Sequence, residues 1–186
     1  MDALTLAHRS KTSHIGPALS CVDIMAVLYA DIMNTGPAAN RDRFILSKGH
    51  GALALYACLF HLGYLSRRRL WSYCKNGSSL AEHPLAHKVP CIEFATGSLG
   101  HGLAVGVGMA MASRIRKEPR RVFVLMGDGE CNEGSVWEAA GLASTWRLDN
   151  LIAIVDHNQW QATDRYDRLA GGYDLAQAWS AFGWEV

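Results

Sequence analysis

The chain has 186 residues, 49% apolar and 19% charged, with 18 Lys plus Arg against 17 Asp plus Glu. That length suits one domain, and the mix can bury a core, which excludes a disordered tail. A net charge of +1 sets up no field that would gather nucleic acid or an acidic membrane, so neither is an expected partner.

Residues 1–13 are polar and mixed, without the apolar run of a signal peptide. Val22, Met25, Leu28, Tyr29 and Ile32 recur at helical spacing and predict a helix over residues 20–33, capped by Ser20 or Asp23. Residues 34–42 carry Asn, Gly and Pro and read as a loop. Phe44-Ile45-Leu46 is a short apolar run, and residues 47–51 turn from it into a helix reaching about Leu62. Residues 66–75 predict another short helix, closed by Asn76-Gly77. Arg67, Arg68 and Arg69 read as its solvated start rather than as a binding patch. Residues 78–94 hold two prolines and two histidines and read as a loop.

After Thr96-Gly97 a helix follows on which Gly102, Gly106 and Ala110 share one face. Without side chains there, another backbone can come close, which predicts tight helix packing across a subunit interface. The most apolar stretch, residues 99–112, is too short to span a membrane. Residues 122–126 are an apolar run of strand length, residues 136–146 are helical, and residues 151–155 are a second apolar strand. Strand, helix, strand in that span is a βαβ unit with parallel strands. The expected fold class is α/β, a parallel sheet covered by helices on both faces. The five cysteines are odd in number and form no CxxC pair, so neither a disulfide framework nor a zinc site is expected. Free thiols fit a reducing, cytoplasmic setting. Cys131 has no base beside it in sequence and reads as a packing residue.

Both strands end in polar residues, Gly127-Asp128-Gly129-Glu130 and Asp156-His157-Asn158-Gln159. In a parallel sheet the carboxyl ends share one edge, where ligands bind. Asp128 and Asn158 are therefore expected at one point, although 29 residues lie between them. A carboxylate and an amide oxygen suit a hard cation, Mg²⁺ or Ca²⁺. Gly127 and Gly129 allow close backbone approach to an anion, and a metal beside such a loop suits a diphosphate. Taken alone, Gly-Asp-Gly also fits an aspartate that only caps the next turn.

Gly127-Asp128-Gly129 followed by Asn158 resembles the diphosphate anchor of thiamine-diphosphate enzymes. The longer text GDGECNEGSVWEAAGLASTWRLDNLIAIVDHNQ resembles transketolases, especially those split into two chains. DRFILSKGHGALALYACLFHLGYL, EHP and ATGSLGHGLAVGVGMAMA resemble the same family in the same order, from about Ser13 to Val186. The resemblance implies a thiamine-diphosphate-binding fold and transfer of a two-carbon ketol or related acyl unit. Asp128, Asn158 and the carbonyl of Trp160 would hold Mg²⁺, with Ca²⁺ as a substitute. Gly127, Gly129 and Glu130 would lie at the diphosphate, and Gly97 and Leu99 near the thiazolium ring. Glu133 matches the family's acid that links two active sites of a dimer. His14, His50 and His83 match histidines that line cofactor and substrate, His50 at the cofactor and His83 at the donor hydroxyl. His8, His61, His87 and His157 read as surface or satisfied core residues.

Three stretches depart from the family pattern: Ser13-His14-Ile15-Gly16 for GHPG, Ser98 and His101 within TGPLGQG, and Trp160-Gln161-Ala162 where an aliphatic residue and IDG are usual. They allow a specialised donor. The expectation is one diphosphate-binding domain over residues 1–186, shorter than the family's usual domain and without the pyrimidine-binding domain. That domain would come from a second chain in an α2β2 assembly acting on a sugar phosphate or keto substrate. The other readings are a subunit of a deoxyxylulose-phosphate synthase or 2-oxo-acid dehydrogenase, or a non-catalytic partner-binding remnant.

Overall fold

Three short strands position everything else. In the computed structural model, which describes residues 1–36, 40–170 and 172–186, β1 (Arg43–Leu46), β2 (Val122–Gly127) and β3 (Leu151–Asp156) lie in the order β1-β2-β3, both pairs parallel. The helices are α1 (Asp2–Ser10), α2 (Ile15–Val27), α3 (Ala52–His61), α4 (Arg67–Leu70), α5 (Gly102–Ile115), α6 (Gly134–Thr145), α7 (Tyr166–Ala170) and α8 (Leu175–Ala181).

Strand side chains alternate between faces, and the core divides accordingly. Phe44, Leu46, Phe123 and Leu125 pack with α1, α2 and α3. Ile45, Val122, Val124, Met126 and Leu151 pack with α5, α6 and α8. Apolar residues at every strand position are thus explained: both faces are covered by helices, as an α/β sheet requires.

The small-residue face of α5 packs on the sheet, which corrects the expected helix contact across a subunit interface. A Cβ on Gly106 would sit 2.6 Å from Val124 Cγ2, and one on Gly102 would sit 2.2 Å from Ser47 Oγ. A helix that lies this close to strands has room for hydrogen only at those two positions.

The helix expected over residues 20–33 begins five residues earlier, at Ile15. Pro17 sits in its first turn, where a missing N–H costs nothing. Ser20 and Asp23 are therefore interior residues, not caps. The helix runs on through a π-helical turn, Leu28–Ile32, closed by Met33 N–H to Leu28 O at 2.8 Å. Together Ile15–Ile32 make 18 residues of mean hydropathy 1.6, long and apolar enough by length and composition to cross a membrane. That corrects the expectation that residues 99–112 are the most apolar stretch. Ala18, Cys21, Met25, Leu28 and Tyr29 of this segment are buried in the core.

Residues 66–75 are helical only over Arg67–Leu70, with Ser66 accepting Arg69 N–H as the cap. Turns then follow, and Cys74 (φ 53°) donates its N–H to Leu80 O. The N-terminal stretch, read only as polar, is α1, with Ala3, Leu6 and Ala7 buried. The loop expected over residues 34–42 includes residues 37–39, which lie outside the described residues.

Candidate cofactor and metal site

The register sets Gly127 of β2 opposite Asp156 of β3, so the residues that follow both strands enter the same space. Asp128 is buried at 1% exposure. Its Oδ1 accepts Gly129 N–H at 2.8 Å and its Oδ2 accepts Gln159 N–H at 2.6 Å. Asn158 Oδ1 accepts Trp160 N–H at 2.8 Å. Gln159 adopts φ 64°, a left-handed conformation uncommon for a side-chain-bearing residue and typical of functional turns. The turn wraps the chain after β3 around the Asp128 carboxylate. Asp128 and Asn158, far apart in sequence, thus stand on two connected loops at one sheet edge.

Glu130, expected beside the diphosphate, is turned inward and is 2% exposed. Its carboxylate accepts Gly100 N–H at 2.9 Å, Gly127 N–H at 3.3 Å and the Ser47 hydroxyl. Ser47 Oγ in turn accepts Gly102 N–H at 3.1 Å. One buried acid therefore ties together the ends of β1 and β2 and the loop before α5. Burial pushes its pKa above the usual glutamate value, while the hydrogen bonds from Ser47, Gly100 and Gly127 pull the other way.

Below the loops, Asp156 and Lys48 form a buried ion pair with Ser20 alongside. Burial alone would raise the Asp156 pKa, but hydrogen bonds from Lys48 and Ser20 and the Lys48 charge hold it below the ordinary range. Sequence reasoning passed over Lys48 and Ser20 and gave Asp156 no role. The available signal was a charged residue closing an apolar strand, which needs a partner if buried.

His14, His50 and His83 come together from three elements. His14 precedes α2, His50 sits in the turn between β1 and α3, and His83 lies in the long loop before α5. Ring centroids are 4.7 Å (His14–His50), 5.0 Å (His50–His83) and 5.3 Å (His14–His83) apart. One ring nitrogen from each lies within 4.8 Å of the others. The Tyr56 hydroxyl of α3 donates to Ala81 O at 3.0 Å and pins the His83 loop. A Cβ on Gly49 would meet the Gly97 nitrogen at 3.0 Å, and a Cβ on Gly97 would lie 3.5 Å from the His83 ring. Burial, then the neighbouring His14, lowers the pKa of both His50 and His83. Both are held neutral near pH 7, the form that can accept a proton.

The remaining candidates sit further out. Leu99 is half-buried, and Trp160 is exposed, its backbone paired with Arg165. Glu133 is exposed just before α6 and packs on Gly100, whose φ of +84° suits glycine. His8, His61, His87 and His157 are exposed, and His61 pairs with Asp2 at 2.9 Å. The five cysteines are free. Burial pushes the Cys131 thiol up to about 12, which suits a packing residue and not a nucleophile.

The chain's own groups fit a diphosphate and a hard cation. A Cβ on Gly129 would lie 2.7 Å from Gln161 Cγ, and the Gln161 Nε2 above that glycine is buried with no hydrogen-bond partner. A buried unpaired N–H beside a glycine backbone is completed by an anionic oxygen. A carboxylate and an amide oxygen are hard donors that suit Mg²⁺.

Residues 1–186 match the family model described as transketolase, thiamine diphosphate binding domain. One of the two subunits of the apulose-4-phosphate transketolase of Phocaeicola vulgatus is 44% identical over 185 residues, covering 97% of this chain and 66% of that one. The 6-deoxy-6-sulfo-D-fructose transketolase subunit SqwG of a Clostridium species is 39% identical, covering 98% and 69%. Among solved structures, transketolase from Leishmania mexicana superposes with a TM-score of 0.88 at 30% identity, over 98% of this chain and 29% of that one. The chain thus spans about two thirds of the subunit-sized relatives and under a third of the longer enzyme. With the matching fold, this overlap makes the chain a member of the transketolase family, within its thiamine diphosphate binding domain.

Proposed function

We propose that this chain is the diphosphate- and Mg²⁺-binding part of a transketolase-type transferase that moves a two-carbon ketol unit between sugar phosphates or related keto substrates. The observation that carries this is the Gln159 N–H bond to the Asp128 carboxylate, which joins the two oxygen-bearing loops at one point. Asp128, Asn158 and the Trp160 carbonyl hold the cation, and Gly127, Gly129 and Gln161 face the diphosphate. Gly97 and Leu99 flank the ring. Thiamine diphosphate, when bound, supplies the electron sink that a ketol fragment needs.

The histidines do the proton work. His50 and His83, neutral near pH 7, accept protons from donor hydroxyls and return them to the acceptor. Their mutual packing orients the rings, and the half-buried setting limits water. The chain contributes one diphosphate-binding domain, and the pyrimidine-binding part comes from a second chain in an α2β2 assembly in the cytoplasm. The names of the two relatives, each a transketolase subunit, support a second chain. Glu133, exposed in the isolated chain, is the acid available to such an interface.

The test is thiamine diphosphate binding by calorimetry with and without Mg²⁺, on the protein in its native assembly. Asp128→Ala is expected to abolish Mg²⁺-dependent binding. Unchanged affinity removes the metal assignment, and wild-type protein that binds no cofactor points to a non-catalytic remnant.

A further inference from the structure

Asp156 closes β3 beneath the site, and nothing in the proposed chemistry uses it. It is 6% exposed, and Lys48 is 5% exposed. Asp156 Oδ2 accepts from Lys48 Nζ, from Ser20 Oγ at 2.6 Å and from Asn158 Nδ2 at 3.3 Å. Lys48 Nζ also donates to Ser20 Oγ at 3.1 Å. A residue after β1, one in α2 and the last residue of β3 thus meet under the end of β2. Desolvating such a pair is costly, and apolar replacements are often as stable, so stability alone does not explain it.

Its contact with Asn158 does. The Asn158 amide is held at both ends: its oxygen takes Trp160 N–H, and its NH2 group donates to Asp156. Flipping that amide would set NH2 against N–H and oxygen against carboxylate, repulsive at both ends. We propose that Asp156, fixed by Lys48 and Ser20, is a positioning residue that locks the Asn158 amide so that its oxygen, not its nitrogen, is offered to the cation. This rests on the Mg²⁺–diphosphate reading above. Groups that orient a metal ligand typically change affinity by about 10- to 100-fold when lost.

The experiment titrates Mn²⁺ by electron paramagnetic resonance, with thiamine diphosphate in excess, on the protein in its native assembly. Lys48→Met/Asp156→Leu removes charge and acceptor together. Lys48→Met/Asp156→Asn removes the charges but keeps an oxygen that can accept from Asn158. The first is expected to bind Mn²⁺ about 10- to 100-fold more weakly and the second to recover to within a few-fold of wild type. If the leucine pair does not fold by thermal melting, Lys48→Met/Asp156→Ala removes the acceptor without added bulk and gives the same comparison. Wild-type affinity in the apolar pair overturns the proposal, and so does equal weakening in both pairs, because charge and not orientation would then be responsible. Wild-type protein that fails to bind Mn²⁺ at all overturns the underlying reading instead, and Asp128→Ala serves as the non-binding reference.

Discussion

The two halves of the site are built by different means. The metal and diphosphate half sits on the ends of β2 and β3, where sheet register sets Gly127 beside Asp156 and the polar side chains of Asp128 and Glu130 find partners. The histidine half is assembled from a turn, a helix start and a long loop, held by one tyrosine hydroxyl and by close glycine contacts. The first is rigid because backbone hydrogen bonds specify it. The second depends on loop packing, and loops are where variation is tolerated. The comparison teaches that cofactor anchoring and substrate chemistry can be altered separately in this fold.

The sharpest way to test that separation is His83→Ala. Ketol transfer is expected to fall by roughly 100-fold or more, while Mg²⁺-dependent thiamine diphosphate affinity stays within a few-fold of wild type. Steady-state kinetics and calorimetry on the same preparation check this, and loss of cofactor binding would show that the halves are one unit. Glu130→Ala attacks the rigid half. It strands the Ser47 hydroxyl and the Gly100 and Gly127 N–H groups, and unsatisfied buried groups cost about 1–3 kcal/mol each. A loss of about 3 kcal/mol or more in urea unfolding is expected, and a change under about 1 kcal/mol would mean that water replaces the carboxylate.

The smallest effect is in pH. His50 and His83 have folded pKa values below the ordinary 6.5, so the unfolded chain binds more protons once pH drops below about 6.5. Stability is therefore full above that value and declines as pH falls through the folded pKa values. Denaturation at pH 7, 6 and 5 should show this slope, and His50→Asn should flatten it. A slope unchanged in that variant would assign the effect to other groups.

Much of the rigid half was legible. Apolar runs at residues 122–126 and 151–155 predicted parallel strands, and polar residues after each marked the binding edge. The three histidines were legible only through the family resemblance, because nothing local in a loop says where it packs. Glu130 shows the limit of motif reading. It sits in the motif, yet its side chain turns away from the anchoring face, since three N–H and O–H donors converge behind it. The helix start at Ile15 was missed because a proline in the first helical turn reads like a break.

By itself, the sequence determined the strand periodicity, the βαβ order and the residue types at the strand ends, since these depend on neighbours one to four residues apart. Only the tertiary structure decided that α5 lies against the sheet, that three histidines share one space, and that Lys48 reaches Asp156. Those pairings join residues as far as 108 positions apart, and they arise only when both faces of the sheet are covered and buried polar groups must find partners.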